Sequence, residues 1–187
     1  TKIEKLLAVA LATAPTPAHK IVKTGSGGST LTVALIQQMK RKAQLSTPKI
    51  RPLKIDGADH YVILAHPYAT KGLKADSDWK NAQLYANIRG KDNPIVTGAL
   101  GVIDGCVIHE YDRSELLSSG TIARTLLLGA QAGCVAWGQM PEWYEKLFDY
   151  YRIPGVAVDF MAGFAKTKFN NEDYAVVALD HNYTADT

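Results

Sequence analysis

The chain has 187 residues, 47% hydrophobic and 21% charged, with 21 Lys and Arg against 18 Asp and Glu for a net charge of +3. This composition excludes disordered, collagen-like and disulfide-scaffold classes, and a chain of this size buries roughly 70% of its unfolded surface without metal or disulfides. No apolar run reaches the ~18 residues of a membrane span, the first residues lack a signal-peptide layout, and +3 is too small to mark a dedicated nucleic-acid binder.

Ile3, Leu6, Leu7, Ala10 and Leu11 recur at helical spacing, which predicts a helix stopped by Ala14-Pro15-Thr16-Pro17. Thr24 to Thr30, with Gly25, Gly27 and Gly28, reads as a flexible linker. Ser29 or Thr30 then caps a helix carrying Leu31, Leu35, Ile36, Met39 and Ala43, with Lys40, Arg41 and Lys42 near its negative pole. Lys49-Ile50-Arg51 between Pro48 and Pro52 is extended. Tyr61 to Ala65, an apolar run closed by His66-Pro67, predicts a strand buried on both faces.

Asp76, Ser77 or Asp78 caps a further helix with Trp79, Ala82, Tyr85 and Ala86 inward and Gly90 at its end. Asp104-Gly105 is a hairpin signal, with Cys106 to Glu110 returning. Leu126 to Trp137, interrupted by Gly129 and Gly133, reads as a helix or as two short buried strands around Gln131, the strands being preferred. Val156 to Phe169 is strand-like, Asn170 to Asp173 makes a polar turn, and Tyr174 to Leu179 reads as the other arm of a hairpin.

Each candidate for chemistry has a plainer reading. Gly25 to Thr30 before a helix invites phosphate binding, but the lysine of a P-loop is missing and Ile21-Val22 makes a poor strand. His60, His66 and His109, with Asp56 and Asp59, lack zinc-ligand spacing. Cys106 and Cys134, 28 residues apart in apolar settings, read as buried free thiols. The aromatic group Trp143, Tyr144, Phe148, Tyr150 and Tyr151 with Lys146 and Arg152 could stack on single-stranded nucleic acid. Glu142, Glu145 and Asp149 cancel its charge, so a core or subunit-contact role is preferred. No catalytic, cofactor-binding or metal-binding residues are assigned.

Four segments, taken together, resemble one family. Ile50 to Gly57 with Tyr61 to Tyr68, then Asp92 to Gly101 with Gly105 to Glu110, resemble major capsid proteins of phages related to the N-four podophage. Leu126 to Ala132 and Lys166 to Val177 are similar to its later signatures, in the same order.

The resemblance implies an α+β Hong Kong 97-type capsid fold, truncated at the N-terminus before most of its spine helix. It implies residues 1–29 as the helix end and linker, 30–140 as an axial-type domain, and 141–187 as a peripheral-domain segment. Val156 to Leu179 is expected there as a long hairpin, and Gly98, Gly101 and Gly105 as turn residues, with positive φ at Gly105. The implied function is a structural shell subunit of the virion, assembled in the host cytoplasm. It would self-associate as pentamers and hexamers, enclose DNA non-specifically, and touch no membrane; the chain by itself would be monomeric. The alternatives are a small phosphate-ligand-binding enzyme domain using Gly25 to Thr30 with His60, His66 or His109, and a non-capsid interaction module that has kept this fold.

Overall fold

The computed structural model describes residues 2–13, 15–55, 57–85, 100–114, 116–117, 121–148 and 153–185. In chain order these form α1 (Lys2–Ala12), a 3-10 turn (Pro17–His19), β1 (Lys20–Lys23), α2 (Val33–Leu45), β2 (Leu53–Ile55), β3 (Ala58–Ala65), α3 (Pro67–Ala75) and α4 (Ser77–Tyr85). Then come β4 (Val102–Ile103), β5 (Cys106–Glu110), β6 (Leu116–Leu117), β7 (Ile122–Leu128), β8 (Gly133–Phe148) and β9 (Ile153–Lys166). The short strands β10 (Lys168–Phe169) and β11 (Glu172–Asp173) precede β12 (Val176–Asn182).

Eight strands make one sheet in the order β1-β12-β7-β3-β5-β4, with β2 beside β3 and β6 beside β7. β1–β12 and β3–β5 run parallel and the other pairs antiparallel. The register of β3, β7 and β12 places Tyr61, Ile63, Ala65, Thr125, Leu127, Val177, Leu179 and His181 on one face. All of these are buried. Helices α2 and α3 pack on β12 and β7, bringing Leu35, Ile36, Met39 and Leu73 into the same core. On the other face Val62, Leu64 and Leu128 are half-buried, so β3 is fully covered on one side only, not on both as expected.

Local chemistry explains most elements. Asp104 (φ 49°) and Gly105 (φ 69°) form the left-handed pair that a two-residue hairpin requires, and Asn170 and Asn171 do the same between β10 and β11. Gly101 also has positive φ. His66 begins α3, its Nδ1 accepting from the Tyr68 amide at 3.2 Å, with Pro67 in the first turn where its missing N–H is harmless. The α3 helix was not expected from the sequence.

Several expectations need correction. β1 is formed after all, because Ile21 and Val22 pair with β12. α2 starts at Val33 and not after Ser29 or Thr30, and its first amide donates to Asp76 Oδ2 at 2.8 Å from a distant turn. Ala82 of α4 is exposed, while Trp79 is buried as expected; Ala86, Gly90, Gly98 and residues 92–99 of the second signature lie outside the described residues.

The Val156–Leu179 hairpin does not form. β9 turns back onto β8 in a separate two-stranded ribbon, and β12 returns to the large sheet between β1 and β7. The expected division at residue 140 therefore falls inside β8, and the expected third segment is shared between ribbon and sheet.

Candidate subunit-contact surface

β8 and β9 pair from Gly133↔Lys166 to Phe148↔Ile153. β8 has 16 residues against 14 in β9, and the excess is absorbed by register shifts between Trp137 and Gln139 and between Gln139 and Glu142. Gly138 and Pro141 sit within those shifts, where a missing side chain and a missing N–H cost the ladder least.

Alternation sorts the ribbon into two faces. On one lie Gly133, Val135, Trp137 and Trp143, opposite Lys166, Phe164, Ala162 and Val158, with Phe160 and Val156 in the same series. The other carries Cys134, Ala136, Glu142 and Tyr144 opposite Ala165, Gly163, Asp159 and Ala157. Apart from Lys166 and Glu145, which stands opposite Val156, the first face is apolar and aromatic; the second is small and polar around Tyr144 and Met161.

The end of α1 covers only the near part of the apolar face. A Cβ at Gly133 would lie 3.1 Å from Leu11 and 3.4 Å from Leu7, and Lys166 Nζ donates to the Thr13 carbonyl at 2.6 Å. Farther out, Trp143 is 65% exposed, Val156 54% and Val158 49%, and Trp137 meets Phe160 edge-on at 6.3 Å. Isolated two-stranded ribbons are marginal in water. A row of exposed aromatic and branched residues along one is therefore the mark of a surface that another protein covers. This rules out a core role for Trp143 and Tyr144; Tyr150, Tyr151 and Arg152 lie outside the described residues, as do the side chains of Lys146 and Phe148.

Two polar clusters anchor the segment between α1 and the sheets. Lys166 pairs with Asp173 at 2.8 Å, and Asp173 Oδ2 also accepts from the Thr16 amide at 2.9 Å. Arg124 binds Asp180 and donates to the Ala12 carbonyl at 2.9 Å.

The other candidates do not converge. His60 and His66 are six residues apart on and just after β3, about 20 Å by strand rise, and His109 is exposed opposite Leu64. Asp59 is exposed, and Asp56 lies outside the described residues. Cys106 is buried, and burial pushes its thiol up to about 11. Cys134 is exposed, contrary to expectation, because it sits on the ribbon's open polar face. Among the described residues, no group of three or more His, Cys, Asp or Glu is placed to hold a metal, and no helix is long and apolar enough to cross a membrane.

The Gly25–Thr30 loop, expected to be a flexible linker, is tied down to β12. Gly28 N donates to Gly25 O at 3.0 Å, and Asn182 of β12 accepts from Gly25 N and donates to Gly25 O. The amide that could greet a phosphate at the start of α2 is already taken by the Asp76 carboxylate. An anion there would meet a negative charge.

A profile of the phage capsid protein family matches residues 9–185. The chain belongs to the phage capsid protein family. It is 33% identical over 156 residues to the major capsid protein of Pseudomonas phage KPP25, covering 73% of this chain and 42% of that relative. Its fold matches the capsid of Ralstonia phage GP4 over all of this chain and 64% of that one, with a TM-score of 0.77 and 25% identity. The cyanophage Pam1 capsid asymmetric unit matches over 99% of this chain and 65% of that one, with a TM-score of 0.80 and 20% identity. The chain thus spans less than half of the curated relative and just under two thirds of each of these solved subunits. The expected α+β capsid fold is therefore present.

The apolar ribbon face escaped the sequence reading, although its signal was there. Val156, Val158, Phe160 and Phe164 fall at every second position or a multiple of it, between Ala157, Asp159, Met161 and Gly163, so that most of the bulky apolar residues share one side of a strand.

Proposed function

We propose that the chain is the folded core of a major capsid protein, a non-catalytic subunit whose copies build a closed icosahedral shell around phage DNA. Pentamers and hexamers of copies form the shell, and the enclosed DNA is contacted through its phosphates without regard to sequence. The observation that carries this reading is the family match over residues 9–185, which spans both the sheet and the ribbon. A shell needs flat subunits with repeated heterologous contacts, and it needs no reactive cleft.

The ribbon with α1 is the peripheral domain in this reading, and the eight-stranded sheet with α2, α3 and α4 is the axial-type domain. The apolar face of β8 and β9 is where a neighbouring copy packs. Expression from the complete coding sequence, followed by sedimentation, tests the proposal. Fast-sedimenting particles or stable hexamers are expected; a monomer at all concentrations contradicts it.

A further inference from the structure

The +3 net charge conceals a strong asymmetry along the chain. Residues 1–55 contain ten Lys and Arg and one acid, Glu4, whereas residues 56–187 contain eleven Lys and Arg and seventeen acids. From Lys40 to Lys54, six cations fall within fifteen residues and no acid interrupts them.

Two of the six have partners, and a third stands opposite a carboxylate. Lys40 pairs with Asp104 at 2.8 Å, and Lys42 donates to the Lys20 carbonyl at 3.1 Å. Lys54 stands opposite Asp59 in the β2–β3 ladder. Arg41, Lys49 and Arg51 remain. They are exposed, and none joins a carboxylate among the described residues.

These three share one place. Lys49 and Arg51 border an open hollow of about 400 Å³ together with Gln44, Ile50, Pro52 and Tyr61. Arg41 precedes Gln44 by three residues on α2 and so lies on the same side of that helix. The backbone beneath is fixed. Ile50 is buried and donates its amide to Ala43 O at 3.1 Å, Arg51 O accepts from Ala130 N at 2.8 Å, and Tyr61 donates its hydroxyl to Ile50 O at 3.0 Å.

We infer that this basic hollow between α2 and β3 is a phosphate-binding face for duplex DNA on the wall of the shell, a placement that rests on the shell reading above. Arg41, Lys49 and Arg51 engage backbone phosphates as point and forked charges. Tyr61 is buried and its hydroxyl is committed to Ile50 O, so its ring presents little surface for unpaired bases to stack on. That favours the duplex backbone over single strands. Sequence-independent contact follows.

The test is fluorescence anisotropy of a labelled random-sequence 30-bp duplex, titrated with protein between 50 and 200 mM salt. R41Q/K49Q/R51Q is compared with K74Q/K80Q/K168Q, which removes equal charge elsewhere, and circular dichroism verifies that both variants are folded. Loss of three phosphate contacts lowers the slope of log affinity against log salt by about 2.7. The expected result is that decrease in the first variant and a slope within error of wild type in the second. Equal effects in the two variants, or a wild-type protein that does not bind the duplex at 50 mM salt, overturn the inference. Particle formation is scored separately: shells that form normally while both variants bind DNA alike refute the hollow and leave the shell reading standing.

Discussion

Arg124 grips Asp180 through two parallel contacts across the β7–β12 ladder, Nε to Oδ1 at 2.7 Å and Nη2 to Oδ2 at 3.0 Å, with both side chains buried. Its third nitrogen donates to the Ala12 carbonyl, and Lys20 reaches Asp180 at 2.9 Å. The network thus ties the end of α1, β1 and two central strands at one point. Removing Arg124 leaves Asp180 paired with Lys20 but takes away its two parallel hydrogen bonds and the tie to Ala12. Arg124→Ala is expected to lower unfolding free energy by about 1–3 kcal/mol, measured by urea titration; a loss below about 0.5 kcal/mol would contradict the arrangement.

Acid is expected to weaken the fold in two stages. His181 Nδ1 donates to the Asn182 carbonyl and Nε2 meets the Thr125 hydroxyl, both at 2.9 Å, in a fully buried setting. Burial lowers its pKa, although the Asn182 contact and neighbouring Asp180 work the other way. The unfolded chain takes up this proton near pH 6.5 and the folded chain resists, so stability falls as pH drops below about 6.5, by up to about 1.4 kcal/mol per pH unit. His66, also lowered by burial, adds in the same direction.

Asp180 acts later. Burial would raise its carboxyl, but hydrogen bonds from Arg124 and Lys20 outweigh that and hold it below the ordinary value. Its contribution is complete above the unfolded carboxylate range and is lost as pH falls through its own lower pKa. In His181→Gln, the decline in stability between pH 7 and pH 5 should be shallower than in wild type. An unchanged slope would contradict a neutral buried His181.

Neighbouring glycines in the loop before α2 should behave differently. A Cβ on Gly28 would lie 2.5 Å from Lys23 O and 2.7 Å from Asn182 Nδ2, while one on Gly27 meets nothing within 4 Å. Gly28→Ala should therefore cost about 1–3 kcal/mol and Gly27→Ala no more than about 0.5 kcal/mol, read from thermal or urea midpoints. Equal tolerance of both would restore the linker reading.

Gly129 lets the Lys49–Arg51 coil lie directly on the end of β7. A Cβ there would collide with Ile50 Cγ2 and sit 2.7 Å from Arg51 O. Gly129→Ala is expected to destabilise by about 1–3 kcal/mol and to loosen the basic hollow with it. Hydrogen exchange at Ala130 N, which donates to Arg51 O, should accelerate in this variant; unchanged protection would contradict the close approach.

The parts legible in the sequence were those fixed by local chemistry. The Asp104-Gly105 and Asn170-Asn171 turns need left-handed backbone, and Tyr61 to Ala65 is a short apolar run with β-branched Val62 and Ile63, closed by Pro67, which favours a strand. Long-range pairing was not legible. Residues 156–179 read as one hairpin because the Asn170-Asn171 turn is real, but it closes only β10 and β11, and the partners of β9 and β12 are chosen by tertiary contacts. The start of α2 was misplaced because its first amide is satisfied by Asp76, 43 residues away. The basic hollow was hidden by summing charge over the whole chain.

The central claim is that copies of this subunit meet through the apolar face of the β8–β9 ribbon. Electron microscopy of the protein expressed from its complete coding sequence tests it most directly, comparing wild type, W143E/V158E on the apolar face and E142Q/D159N on the polar face. Closed shells are expected for wild type and for E142Q/D159N, and only dispersed subunits for W143E/V158E. Shells of normal size and number from W143E/V158E would contradict the account.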